Sequence, residues 1–242
     1  MRFLAMPYLS SGTTHPGLIR ELNEDYFYHD DYLGLYIVAD GLGGHTAGEV
    51  ASKIAVESII DSVKDSHLKT PEVRMDLAFR EASESILEHI KVNPDHMSMA
   101  STAVAILVEG SKVTIAHVGD SRSYVLRDKK IKQLTIDHTW VQTQFEKGLL
   151  SEKEISSHPM RNVITQALGN TTSIRVEITS FTASTGDRFL LCSDGLNGMI
   201  DEKTIEQTLG IENQSECLSQ LILAALREGG ADNITAVLID AI

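Results

Sequence analysis

The spacing of apolar residues changes several times along the chain, and each change predicts a different element. Residues 33–39 form an almost uninterrupted apolar run, which is typical of a buried strand. Behind this run the apolar residues recur at helical spacing, at Ala51, Ile54, Ala55, Ile59 and Val63. Thr46 and Glu49 fit a capping box, so we predict that Thr46 is the N-cap of this helix.

A second helix and a group of short strands follow. Proline fits the first position of a helix, so the second helix is predicted to begin at Pro71. Its apolar face comprises Val73, Leu77, Ala78, Ala82, Ile86 and Ile90. Strands are then predicted at residues 101–108, 112–118 and 123–126. Their short connections favour antiparallel pairing.

The second half of the chain continues this mixture. A polar, helix-like section covers about residues 138–158, and Ser151 and Glu154 within it fit another capping box. Further strands are predicted at 174–181, 187–192 and 233–239, and helices at 201–209 and 215–228. Helices beside antiparallel strands, without regular βαβ alternation, predict an α+β fold. No linker or change in composition divides the 242 residues, so we expect a single domain, 1–242.

Four predicted strands carry an aspartate beside a small residue at one end. The four are Asp40 in VADG, Asp120 in VGDS, Asp194 in CSDG and Asp232 in GADN. Each could be an independent turn, because aspartate followed by glycine, serine or asparagine is common in turns. The alternative is that the carboxylates converge, in which case a divalent cation would balance their repulsion. Oxygen ligands of this kind suit Mg²⁺ or Mn²⁺.

A second polar group lies upstream, where Arg20 precedes Glu24 and Asp25. The planar guanidinium group can hold a phosphate through two hydrogen bonds. An arginine beside acidic residues is more commonly a surface ion pair, so both interpretations stay open at this stage.

Composition narrows the range of partners. A net charge of −13 argues against nucleic-acid binding and against docking on anionic membranes. No apolar run approaches the roughly 18 residues needed to span a bilayer, and the N-terminus lacks the features of a signal peptide. Cys192 and Cys217 form no CxxC pair, which favours a reduced, cytoplasmic protein.

The motifs together resemble a known family. The chain contains, in this order, RELNED, VADGLGGHTAGEVAS, HVGDSRSYVLRD, QLTIDHT, HPMRNVITQALG, GDRFLLCSDGL and GGADNITAVLI. This series is similar to the motifs of metal-dependent protein phosphatases, the PPM or protein phosphatase 2C family, in its compact bacterial form. The resemblance implies a central antiparallel β-sandwich flanked by helices on both faces, a four-layer α-β-β-α fold, with a two-metal site at one end.

The resemblance also implies a role for each matched metal-site residue. Asp40 would bridge two ions, Mn²⁺ or Mg²⁺, and the Gly41 carbonyl would bind one of them. Asp194 and Asp232 would complete the other ion's ligands. Asp120, together with Asp194, would hold a possible third ion.

Other matched positions concern the substrate. Arg20 would bind the phosphate, while Glu24 and Asp25 would act at the second metal through water. Residues 138–170 match a flap beside the site. Eukaryotic relatives have a histidine, a proposed general acid, where this chain has Leu42. The role does not transfer to the nearby His45, so the general acid stays open.

The implied activity is metal-dependent hydrolysis of phosphoserine and phosphothreonine in proteins by an activated water, without a phosphoenzyme. Such a protein would reverse the action of a bacterial Ser/Thr kinase, and a monomer is expected. The alternative is an inactive phosphatase-like binding module, which should lack the metal carboxylates or the phosphate-binding arginine. A cysteine-based phosphatase needs an arginine six residues after its cysteine, and Gly198 and Leu223 stand at those places.

Overall fold

The computed structural model describes residues 7–43, 47–66, 68–155, 158–171 and 173–242. The strands in these parts of the chain are β1 (Tyr8–His15), β2 (Asp25–Asp30), β3 (Leu35–Leu42), β4 (Ala100–Ser101), β5 (Ala103–Glu109), β6 (Lys112–Val118), β7 (Arg122–Arg127), β8 (Lys130–Gln133), β9 (Glu177–Thr182), β10 (Arg188–Cys192) and β11 (Ile234–Ala241). The helices are α1 (Gly48–Asp65), α2 (Pro71–Val92), α3 (Trp140–Glu146), α4 (Glu152–Ile155), α5 (Asp194–Asn197), α6 (Glu202–Leu209) and α7 (Gln214–Arg227), with a short 3₁₀ helix at Pro94–His96.

The strands form two antiparallel sheets. One has the order β1-β11-β10-β7-β8, and the other has the order β2-β3-β5-β6-β9, with β4 paired to β3. Among the described helices, none combines the length and the apolar character needed to cross a bilayer.

Alternating side chains on the central strands show how the layers stack. On β3, Leu35, Ile37 and Ala39 pack with α1 and α2. Tyr36 and Val38 point the other way, into the core between the two sheets. Both faces of β3 are therefore buried, which explains its uninterrupted apolar run.

The second sheet follows the same rule. On β11, alternate residues such as Ala236 and Leu238 pack with α5, α6 and α7. The intervening Val237 and Ile239 complete the core between the sheets. The layers are thus helix, sheet, sheet and helix, which confirms the predicted four-layer α+β sandwich.

Two details of the first helices bear on the prediction. The N-cap position of α1 is Ala47, which has a left-handed backbone (φ 73°) and makes no side-chain cap. Thr46, which was predicted to be the N-cap, lies outside the described residues, as does His45, so the capping box at Thr46 stays a prediction. Helix α2 begins at Pro71 as predicted, but Val73 is 46% exposed and does not belong to the apolar face.

The polar section after residue 138 contains two short helices, α3 and α4. The Glu154 carboxylate accepts hydrogen bonds from the Ser151 amide at 2.8 Å and from its hydroxyl at 2.6 Å. This confirms a pairing of the two residues at the start of α4.

Candidate metal centre

Asp40 lies near the end of β3 and is directly paired with Asp25 of β2. Its main chain is fixed by the neighbouring junction between β4 and β5. The Thr102 amide and the Ser101 hydroxyl both donate to the Asp40 carbonyl, at 2.9 and 3.0 Å. The Asp40 amide in turn donates to the Thr102 hydroxyl at 3.2 Å. The strand therefore holds this carboxylate at a defined edge of the sandwich.

The other sheet brings two more carboxylates to the same edge. Asp194 begins α5 directly after β10, and Asp232 lies just before β11, which pairs with β10. Asp40 and Asp194 lie close enough that the charge of Asp194 contributes to a raised pKa of Asp40, after burial and the charge of Asp25. The carboxylates of both sheets thus converge, and the interpretation of separate, unrelated turns does not hold.

Mutual repulsion and burial act on this cluster together. Burial first, and then the charges of Asp25 and Asp194, hold the pKa of Asp40 well above its usual range. Burial, followed by the charge of Asp194, also raises the pKa of Asp120. Burial raises the pKa of Asp25 to about 7, although the nearby Thr235 and Ser193 side chains oppose this change. A bound divalent cation would offset the repulsion among these carboxylates.

Unused oxygen atoms offer a direct test of whether the residues fit a metal ion. Within the described part of the chain, the buried Oδ1 atoms of Asp25 and Asp120 have no hydrogen-bond partner. The other oxygen of Asp25 accepts from the Ser193 hydroxyl at 2.7 Å. A buried carboxylate oxygen without a donor costs free energy, and a hard cation would satisfy it.

Space beside the Gly41 carbonyl is kept open by a second glycine. A Cβ on Gly48 would overlap with Glu24 Oε1 and would lie 3.0 Å from the Gly41 oxygen. The donors in this region are carboxylate and carbonyl oxygens, which suit Mg²⁺ or Mn²⁺. The described residues contain no closed set of three His, Cys, Asp or Glu ligands, so the carboxylates converge without forming a finished cage. In their chemistry, the residues present fit the implied ions.

Arg20 lies at the mouth of the cluster. Its Nη2 donates to Asp232 Oδ2 at 2.7 Å, and its side chain is 49% exposed. This hydrogen bond, and then the charges of Glu24 and Asp40, raise the pKa of Arg20. A half-exposed guanidinium group beside the carboxylates is well placed to meet an incoming anion.

Glu24 has a structural partner that the sequence did not indicate. Its carboxylate lies against Gly48 at the start of α1, where a Cβ would overlap with Glu24 Oε1. Its main-chain oxygen accepts from the Ser52 hydroxyl at 2.6 Å and from the Gly41 amide at 3.1 Å. Burial, and then the charge of Glu49, raise the pKa of Glu24. Glu24 therefore joins α1 to the strand that carries Asp40.

Sequence reasoning missed the residues that support the carboxylates. They are Gly48, Ser101, Thr102, Ser193 and Asn233. Ser193 and Asn233 are each adjacent to a predicted ligand, so a small polar residue beside the aspartate was the available signal. Leu42 lies two residues after Asp40 and pairs with Ala100, while His45 lies outside the described residues.

Comparisons with known proteins agree with this geometry. Residues 19–228 match the family model described as Protein phosphatase 2C. The chain is 40% identical over 228 residues to the serine/threonine protein phosphatase PstP of Mycobacterium tuberculosis, and this match covers 93% of the chain but only 43% of PstP. It is 36% identical to the serine/threonine phosphatase stp of Listeria monocytogenes, over 94% of the chain and 93% of the relative.

A solved structure is similar throughout the fold. The crystal structure of the PstP catalytic domain in complex with two manganese ions superposes with a TM-score of 0.88. The two chains are 35% identical, and the match covers 97% of this chain and 98% of that one.

Proposed function

The chain belongs to the protein phosphatase 2C family, and from this premise we propose that it hydrolyses phosphoserine and phosphothreonine in proteins with the help of Mn²⁺ or Mg²⁺. The observation that carries the proposal is the convergence of aspartates from both sheets at one edge of the sandwich, with Arg20 bound to Asp232 there. Phosphoprotein substrates are supported by the similarity to the serine/threonine phosphatases PstP and stp.

Each residue of the cluster has a proposed place in the site. Asp40 would be a ligand of two ions, and the Gly41 carbonyl would be a ligand of one of them. Asp194 and Asp232 would hold the other ion. The pairing of Asp25 with Asp40 supports a contribution from Asp25 at the second ion, either directly or through water.

Two further acidic residues take outer positions in this proposal. Asp120, whose pKa is raised by burial and then by the charge of Asp194, would share a third ion with Asp194. Glu24 would act through water at the second ion, in addition to accepting the Ser52 hydroxyl at its main-chain oxygen.

The chemistry divides between the ions and the side chains. When bound, the two ions supply a water molecule that is activated near neutral pH and offset negative charge on the phosphoryl group. Arg20 would hold the phosphate oxygens in the orientation for in-line attack. No side chain is assigned to form a phosphoenzyme. Leu42 has no proton to give, so solvent would protonate the leaving oxygen.

We also propose that residues 138–170 form a flap subdomain within the single domain 1–242. Two anchors support this proposal. At the start of the segment, the His138 amide donates to the Gly119 carbonyl at 2.9 Å, next to Asp120. At its end, Leu168 forms a β-bridge with Ser101, whose hydroxyl binds the Asp40 carbonyl. Both ends of the segment therefore adjoin predicted metal ligands.

The remaining proposals concern the setting of the enzyme. The partner would be a Ser/Thr protein kinase whose products this chain dephosphorylates. We propose a monomer in the cytoplasm, where Cys192 and Cys217 stay as the free, buried thiols that the structure contains.

Hydrolysis of three peptides of identical sequence tests the proposed function. They would carry phosphoserine, phosphothreonine or phosphotyrosine, and released phosphate would be measured with Mn²⁺, with Mg²⁺ and with excess EDTA. We expect metal-dependent turnover of the first two peptides and none with EDTA. Binding of the peptides without any turnover would favour the inactive binding module instead.

A further inference from the structure

The Asn233 side chain lies at the centre of a group of hydrogen bonds outside the carboxylate cluster. Its Oδ1 accepts from the Glu24 amide at 2.7 Å. Its Nδ2 donates to the Pro16 carbonyl and to the Leu22 carbonyl, both at 2.9 Å. The residue is only 5% exposed. Three bonds from one buried amide group therefore converge on the segment 16–24.

These bonds close the segment into a loop. The Pro16 and Leu22 carbonyls both accept from Nδ2 of Asn233, so the two ends of the loop are held together. Arg20 lies between them in the chain. The oxygen of the Asn233 side chain accepts from the amide of Glu24, the last residue of the loop. An amide supplies both donors and an acceptor, and neither a carboxylate nor an apolar side chain could replace all three bonds.

The loop also lies directly on the segment that carries a predicted ligand. Gly17 has a left-handed backbone (φ 82°), and a Cβ there would overlap with the Asp232 carbonyl oxygen. The Leu18 amide donates to the Gly230 carbonyl at 2.7 Å. The side chain of Arg20 then reaches Asp232, the residue immediately before Asn233.

We propose that Asn233 is a positioning residue for Arg20. Its amide fixes the loop 16–24 against the start of β11, so that the guanidinium group stays beside the carboxylates although half of its side chain is in solvent. The inference rests on the proposed function, because it assigns to Arg20 the task of holding the phosphate. Pre-ordering the loop removes the entropy that substrate binding would otherwise have to supply.

A double-mutant cycle on the full chain separates positioning from a general structural role. The variants are Asn233→Ala, Arg20→Ala and the double variant. For each, kcat and KM would be measured for a phosphothreonine peptide at saturating Mn²⁺, together with inhibition by inorganic phosphate. We expect Asn233→Ala to raise KM and the phosphate inhibition constant about tenfold. In the Arg20→Ala background the same change should have less than about a twofold effect.

Two further variants sharpen the test. Asn233→Asp keeps the acceptor for the Glu24 amide but loses both donors, so its effect on KM should have the same dependence on Arg20. Asn213→Ala is the matched control, because Asn213 Oδ1 accepts from the Glu216 amide at 2.9 Å at the start of α7. It should lower the melting temperature and leave KM unchanged.

Fully multiplicative effects of Asn233→Ala and Arg20→Ala would overturn the proposal, as would an unchanged KM. Failure of both Asn233 variants to fold would also overturn it, because Asn233 would then be required for the fold itself. Absence of turnover in the wild type would contradict the proposed function instead. In that case the coupling between Asn233 and Arg20 can still be tested by equilibrium binding of inorganic phosphate. The proteins would be the wild type, the two alanine variants and the double variant.

Discussion

Asp25 and Asp40 occupy directly opposite positions on the neighbouring strands β2 and β3. Side chains at such positions have Cβ atoms about 4.5–5.5 Å apart, and like charges there destabilise a sheet. Burial raises the pKa of both carboxyl groups, and the charges of neighbouring aspartates raise the pKa of each further. Without a cation, these two facing carboxylates therefore destabilise the folded protein. A bound cation would offset their repulsion.

Mn²⁺ should accordingly raise the melting temperature of the wild type. An ion that binds only the folded state adds about 2.7 kcal/mol at a hundredfold excess over its Kd. Asp194→Asn removes one proposed ligand without changing the side-chain shape, so most of this shift should disappear. In EDTA the variant should melt at or above the wild-type temperature, because one buried charge is removed. Equal Mn²⁺ shifts in the two proteins would show that Asp194 is not a ligand.

Replacing Arg20 by lysine should reduce kcat/KM about tenfold, because lysine keeps the charge but loses the paired hydrogen bonds of the guanidinium fork. Steady-state kinetics on a phosphothreonine peptide would measure the change. Arg80→Lys is the control, since Arg80 forms a comparable exposed ion pair with Asp76 on α2. Similar kinetics for the Arg20→Lys variant and the wild type would restore the interpretation of Arg20 as an ordinary surface ion pair.

From the buried environment of His138 we predict that the stability of the folded protein depends on pH. The side chain is buried, its Nδ1 accepts from the Gly119 amide at 3.2 Å, and its Nε2 has no partner within the described residues. Burial, and then the charge of His117, lower its pKa to about 4. The weaker influences around it come from Glu177, Arg175 and Asp137.

The direction of the effect follows from this lowered pKa. An unfolded histidine titrates near pH 6.5, so on acidification the unfolded chain takes up the proton before the folded protein does. The contribution of His138 to the free energy of unfolding is complete above about pH 6.5. It is lost as the pH falls from about 6.5 to 4. Urea unfolding of the wild type and of His138→Asn across this range measures it. As the pH falls, the free energy of unfolding of the wild type should decrease relative to that of His138→Asn. A difference in unfolding free energy that stays constant with pH would exclude His138 as the source of the pH dependence.

The central strands could be predicted from the sequence because both of their faces are buried. The run before Asp40 was recognised for this reason, and residues 112–118 matched β6. Strands β1, β2 and β8 were missed, and all three lie at sheet edges, where fewer positions need to be apolar.

The candidate site was also predictable only in part from the sequence. The ligand candidates could be found because carboxylates at strand ends are visible in the sequence. The pairing of Asp25 with Asp40 depends on strand register, and the contacts of Asn233 join residues that are more than 200 positions apart, so neither could be read from local patterns. The contact of α1 with Glu24 also joins separate parts of the chain, since the Ser52 hydroxyl donates to the Glu24 carbonyl.

Phosphate release from a phosphothreonine peptide, measured during a Mn²⁺ titration of the wild type and of Asp40→Asn, tests the central claim most directly. Wild-type activity should rise with Mn²⁺ and disappear with excess EDTA. Asp40→Asn should stay at least about 100-fold slower even at saturating Mn²⁺, because the charge that is proposed to bridge the ions is gone. A wild type without Mn²⁺-dependent turnover, or an Asp40→Asn variant within about twofold of its rate, would contradict the account.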